Sequence, residues 1–210
     1  MSAAALARQI LIVLVRILVG ARGEWVGTAP EPRSRIYFAN HTSHFDTLAV
    51  ISALPPELRR RTRPVAARDY WGGSALKRFI AEKCLRAVLI DRDGRGEGDP
   101  LAPVDEALAR RESVLIFPEG TRGAGEEVAA FKSGLHRLAE RHPEAELIPV
   151  HLDNLARVMP KGSFLIVPLT CTARFGPPLT AVPGEPKAEF LARARAAVES
   201  LAPRRKGAPA

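Results

Sequence analysis

The sequence predicts an α/β domain, a central sheet with helices around it. From about residue 34 onward, short apolar runs alternate with amphipathic stretches, the order that strand–helix–strand units produce. The runs are rich in Val, Ile, Leu and Phe, which marks buried strands. The size agrees: 210 residues, 46% hydrophobic and 26% charged, fit one globular domain with a real core.

The first element is the N-terminal segment. Ile10 to Val19 is the most apolar stretch, interrupted by Arg16 and flanked by Arg8 and Arg22. A membrane span needs about 20 apolar residues. On a helix, the three arginines fall within an arc of roughly 120°. That pattern suits a short helix lying in a lipid interface, with its arginines at phosphate level. A tilted or partial span, or packing on the protein's own core, are the alternatives. The broken apolar run, with no clear Ala-x-Ala site after it, argues against a cleaved secretory signal.

Predicted strands follow at residues 35–39, 63–67, 87–91, 113–117, 146–151, 163–168 and 171–175. Predicted helices lie at 46–53, 69–83, 100–110, 131–141 and 186–201. Residues 94–100 and 123–127 read as polar loops, and no internal repeat or linker is evident. The division is therefore a membrane-associating segment at 1–24, one domain at 25–202 and a basic tail at 203–210.

A net charge of +8 favours anionic partners, whether phosphate groups, acidic lipid or nucleic acid. No nucleic-acid reader motif is present and aromatics are few, so nucleic acid is set aside. The run holding Arg59, Arg60, Arg61 and Arg63 reads as a solvated surface or as a contact for lipid headgroups or an acidic carrier. Cys84 and Cys171 lie in core-like segments and form no metal-type pair, which predicts buried free thiols and a reducing compartment.

In α/β folds, ligands collect at the carboxyl ends of strands. Three polar clusters sit at such ends here. Asn40-His41-Thr42-Ser43-His44-Phe45-Asp46 follows the first predicted strand. A neutral histidine at that place can accept a proton near pH 7. Asp46, five residues on, has the reach to hold the imidazole and stabilise its charged form. The pattern is a catalytic dyad without a serine nucleophile, so the hydroxyl would belong to the substrate. Two other readings stay open: Asp46 as a helix N-cap, and a metal site from His41, His44 and Asp46. Ser43 as nucleophile is disfavoured, because no Gly-x-Ser-x-Gly elbow occurs.

The other two clusters offer cations. Arg122 follows Phe117-Pro118-Glu119-Gly120-Thr121, where Gly120 lets the backbone approach a ligand. Arg92 follows Val88-Leu89-Ile90-Asp91, and Lys132 stands at a predicted helix start. Arginine forks suit phosphate. The flanking Asp91 and Asp93 make an internal ion pair the alternative for Arg92, and a solvated helix position the alternative for Lys132.

Together these blocks resemble the glycerophospholipid acyltransferase family, in particular its 1-acylglycerol-3-phosphate acyltransferases. Asn40, His41, Ser43 and Asp46 match the first block. Val88 to Arg92 resembles the second. Phe117 to Arg122, with Phe131-Lys132-Ser133-Gly134 behind it, resembles the third, and Leu147-Ile148-Pro149-Val150 the fourth. The blocks keep the family's order and span Ile36 to Asn154. The resemblance implies a mostly parallel sheet. It implies His41 as general base, Asp46 as its partner, and Arg92, Glu119, Gly120 and Arg122 at the acceptor phosphate, with Pro149 shaping the acyl pocket. A phosphate contact by Lys132 is a separate inference from its position.

The expected function is transfer of a fatty acyl group from a thioester to a hydroxyl of 1-acylglycerol 3-phosphate, giving phosphatidic acid. Acyl-CoA or acyl carrier protein would be the donor substrate, with no cofactor and no metal. The expected partners are a phosphate-bearing lipid, a membrane surface and, if it is the donor, acyl carrier protein. The expected place is the cytoplasmic face of a membrane, peripheral or monotopic. Rival readings are acylation of glycerol 3-phosphate, another lysophospholipid or a lyso-aminolipid, and a non-catalytic lipid-binding protein.

Overall fold

A computed structural model of the chain describes residues 6–7, 9–10, 13, 21–43, 45–71, 73–91, 98–121, 123, 127–153 and 171–203. The sheet contains β1 (Arg22–Trp25), β2 (Arg35–Ala39), β3 (Thr62–Ala67), β4 (Val88–Ile90), β5 (Ser113–Ile116), β6 (Glu146–Asp153) and β7 (Thr172–Phe175). These seven strands are ordered β1-β7-β6-β2-β5-β3-β4. Five of them, from β6 to β4, are parallel to one another. β7 runs antiparallel to β6, and β1 runs with β7. The sheet is therefore mostly parallel, as the resemblance implies, with a reversed pair at one edge.

Strand alternation explains the two cores. Along β2, Ile36 and Phe38 face one side, while Tyr37 and Ala39 face the other, and all four are fully buried. The first side packs α5 (Ala102–Ala109), α6 (Gly134–Arg141) and α7 (Lys187–Glu199) through Val104, Leu108, Leu135, Leu138, Phe190 and Val198. The second side packs α1 (Asp46–Ala53) and α2 (Pro56–Arg61) through Ala49, Val50, Ile51 and Leu58. A strand covered on both faces has no polar positions to alternate, hence the unbroken apolar runs.

The differences from the sequence expectation have local causes. The helix expected over 69–83 is α3 (Arg68–Trp71), then α4 (Ala75–Arg78) running into a π-helical stretch at Phe79–Cys84. Gly73 lies in the turn that divides them, and glycine weakens a helix interior. The helix expected from 131 starts at Gly134, and the Lys132 amide before it donates to the Pro118 carbonyl at 2.8 Å. β1 was not anticipated, and it begins inside the segment assigned to the membrane. The strand expected at 163–168 lies outside the described residues.

The arginine run is not one solvated face. Arg59 is buried, and its guanidinium donates to the carbonyls of Ser52 and Leu54 at the end of α1. Arg61 and Arg63 donate to the carbonyls of Pro32, Arg111 and Arg86. These residues sit at the amino end of β3, the far end of the sheet from His41. Both cysteines are buried and free.

Candidate active site

The site begins where β2 leaves the sheet. Asn40 extends the β2–β6 pairing by one step through its side chain. Its Nδ2 donates to the Leu152 carbonyl at 3.1 Å, and the Leu152 amide donates to its Oδ1 at 2.7 Å. His41 therefore departs from a fixed point.

The next residues fold back on Asp46, whose side chain is fully buried. One oxygen, Oδ2, receives His41 Nδ1 at 2.7 Å, the Thr42 amide at 2.6 Å and the Ser43 amide at 2.8 Å. Asp46 is the first residue of α1 but does not cap it. The cap position is Phe45, without a side-chain bond. The carboxylate turns back to the loop instead, which removes the capping reading. With an acceptor on Nδ1, that nitrogen carries the ring proton and Nε2 is left to accept one. The imidazole stacks on Phe117, with ring centres 4.4 Å apart and planes 23° apart. Its side chain stays 21% exposed, so substrate can reach it.

The strand end after β5 closes on the same histidine. Glu119 is 4% exposed. Its Oε1 accepts the His41 amide at 2.6 Å and its Oε2 accepts the Ala129 amide at 2.9 Å. The Gly123 amide donates to the His41 carbonyl at 2.9 Å. Gly120 has φ +74°, and a Cβ there would stand 2.6 Å from Lys132 Nζ. Only glycine leaves room for the lysine to lie across the turn, which brings its ammonium to the loop beside His41.

His41, Asp46, Glu119, Gly120 and Lys132 are thus brought to one end of the sheet. Arg92 and Arg122 lie outside the described residues, as does His44. Pro149 is not at the strand ends: it is buried in β6, level with Phe38 and beside Gly176. Its missing amide is harmless, because it falls where β7 is ending and the Gly176 amide donates to the Pro149 carbonyl. Among the described residues no cluster of three His, Cys, Asp or Glu side chains is arranged to hold a metal.

Sequence reasoning gave no role to Asn40 or Phe117. The signals were a polar amide directly at a strand end and an aromatic just before Pro118-Glu119. Cys171 lies in the core beside this end of the sheet. Burial, with smaller contributions from the Asp46 and Asp153 carboxylates, pushes its thiol up to about 12. It is therefore a thiol rather than a nucleophilic thiolate at neutral pH.

The chain is 28% identical over 178 residues to 1-acyl-sn-glycerol-3-phosphate acyltransferase alpha of Homo sapiens, covering 81% of this chain and 59% of that protein. It is 26% identical over 170 residues to the 1-acyl-sn-glycerol-3-phosphate acyltransferase of Limnanthes alba, 79% of this chain and 57% of that one. The Salmonella typhimurium enzyme of the same name aligns at 28% over 127 residues, 57% and 46% of the two chains. The chain thus spans a little under three fifths of the length of the first curated relatives it matches. The fold is like that of the 1-acyl-sn-glycerophosphate (LPA) acyltransferase, PlsC, from Thermotoga maritima, with a TM-score of 0.65 at 20% identity, covering 96% of this chain and 83% of that one. The Acyltransferase family model matches residues 26–171, well over half the chain, with His41, Asp46, Glu119, Gly120 and Lys132 inside the match, and the protein belongs to that family.

Proposed function

We propose that the protein transfers a fatty acyl group from a thioester, acyl-CoA or acyl carrier protein, to the free hydroxyl of 1-acylglycerol 3-phosphate, forming phosphatidic acid. The observation that carries the reading is the His41–Asp46 pair, on which no Ser, Thr or Cys side chain sits among the described residues. In the loop, Ser43 Oγ accepts the Phe45 amide. The attacking oxygen then belongs to the acceptor.

His41 Nε2 takes the hydroxyl proton as that oxygen adds to the thioester carbonyl. Asp46 stabilises the imidazolium. The C–S bond then breaks, and the leaving sulfur receives the proton back, so free thiol and ester are the products. General-base help of this kind contributes about 10²–10⁴-fold, and holding the acceptor in place contributes further. Lys132, lying over Gly120, holds the acceptor phosphate together with Arg92 and Arg122, whose places in the sequence follow β4 and β5. Pro149, in β6, is proposed to shape the acyl pocket.

The chain works at a lipid surface. Leu6, Ile10 and Val13 are helical and exposed by 53%, 51% and 43%. Their i, i+4, i+7 spacing puts them on one face. No described helix is long and apolar enough to cross a membrane. Through the pairs Arg22–Thr172 and Thr172–Asp153, β1 starts at the same end of the sheet as His41. The membrane face is proposed to be cytoplasmic.

The test is transfer by the purified chain on lipid vesicles, with both donors offered to 1-acylglycerol 3-phosphate, glycerol 3-phosphate, other lysophospholipids and a lyso-aminolipid. Phosphatidic acid as the dominant product supports the reading. Preference for another acceptor replaces the substrate, and no turnover with any acceptor would favour a lipid-binding role.

A further inference from the structure

We infer that Glu119 is a positioning residue that sets the place of His41, not a group that meets the acceptor phosphate. The inference rests on the acyl-transfer reading for its kinetic consequence only. Glu119 lies 78 positions from His41 in sequence, yet its Oε1 is 2.6 Å from the His41 amide nitrogen. Its Oε2 is 2.9 Å from the Ala129 amide nitrogen. The carboxylate is therefore a brace between two loops. One loop carries the base. The other carries Ala129 and Lys132 and returns to the strand end through the Lys132–Pro118 backbone bond.

Three features make this a brace. First, the residue is 4% exposed, so a ligand has little access to it. Second, a carboxylate repels a phosphate and is not a ligand that an anion would select. Third, the Gly123 amide clasps the His41 carbonyl from the same loop, so both polar groups of the His41 backbone are held by the segment that follows β5. The imidazole has its own restraint in Asp46. Backbone and ring are thus fixed by different carboxylates, Glu119 and Asp46. The loop that carries Lys132 also holds the base, so a phosphate that steadies this loop steadies His41 as well.

Two substitutions separate length from charge. Glu119→Gln keeps the length but offers one acceptor oxygen, and its NH2 meets an amide donor. Glu119→Asp keeps the charge but is one methylene too short to span both amides. A brace predicts that both lower kcat at least 10-fold with little change in acceptor KM. A charge acting at the phosphate predicts that Asp behaves like the parent while Gln shifts KM.

The chain has five histidines, so 15N-histidine labelling in detergent or bicelles gives a direct reading. The His41 amide proton, bonded to a carboxylate, should resonate far downfield and move upfield in both variants. The other four histidine amides report whether the fold survives. An unmoved His41 amide in a folded Glu119→Gln variant would overturn the inference, as would a near-normal kcat in Glu119→Asp. If the parent chain transfers nothing, the acyl-transfer reading falls and the amide shift alone decides the brace.

Discussion

One oxygen of Asp46 receives His41 Nδ1 at 2.7 Å and two backbone amides besides, while its other oxygen is buried with no hydrogen-bond partner among the described residues. The carboxylate is thus oriented by the Oδ2 contacts alone. An asparagine in its place can offer its carbonyl oxygen to the same three donors and set its NH2 where Oδ1 lies. Asp46→Asn should therefore fold, but it lacks the charge that stabilises an imidazolium. The expected loss in kcat is on the order of 10²–10⁴-fold. Steady-state kinetics beside a circular-dichroism melt checks both halves. A folded variant with near-parental kcat would remove Asp46 from the chemistry.

Gly120 and Lys132 make a second prediction. Alanine at 120 would have to adopt φ +74° and would set its Cβ 2.6–2.8 Å from the lysine's Nζ, Cε and Cδ. The backbone term costs about 1–2 kcal/mol. The clash is with a flexible side chain, so Lys132 moves aside. The expected result for Gly120→Ala is a modestly lower unfolding midpoint and a several-fold higher acceptor KM, with kcat less affected. Equal KM values would mean that Lys132 does not hold the acceptor.

His151 gives the fold a pH dependence. It is buried on β6, and its Nδ1 has no hydrogen-bond partner among the described residues. Burial lowers its pKa, the nearby Arg174 lowers it further, and Asp153 opposes them. The unfolded chain then takes up a proton that the folded chain resists. This penalty is absent well above the ordinary histidine value of about 6.5 and grows as pH falls below it, towards the folded value. Urea unfolding of the parent should lose stability across that window, and His151→Gln should flatten the loss. Parallel pH profiles for the two proteins would assign the dependence elsewhere.

Much of this architecture is legible in the sequence, for a physical reason. A strand buried on both faces has to be apolar throughout, so β2 can be read at its observed ends, 35–39. β1 escapes because Arg-Gly-Glu-Trp is an edge strand with mostly exposed side chains, which no apolar run announces. The reversed edge pair depends on which strands meet, and periodicity does not carry that. The short helix Pro56–Arg61 reads as a basic patch because Arg59 looks like a surface residue until the α1 carbonyls it bonds are in view. At the site, the His41–Asp46 relationship is local, five residues apart, and can be read from spacing. The Glu119–His41, Glu119–Ala129 and Asn40–Leu152 bonds join distant segments, so their residues stand out in the sequence while their partners do not.

The central claim is that His41 is the base for attack by a substrate hydroxyl. The most direct test is the single-turnover rate of acyl transfer to 1-acylglycerol 3-phosphate by the parent and by His41→Ala, with acyl-CoA and acyl carrier protein each tried as donor on vesicles. The account predicts that the parent forms phosphatidic acid and that His41→Ala, with an unchanged melting curve, is slower by about 10²–10⁴-fold. A folded His41→Ala protein that transfers at the parental rate would contradict it.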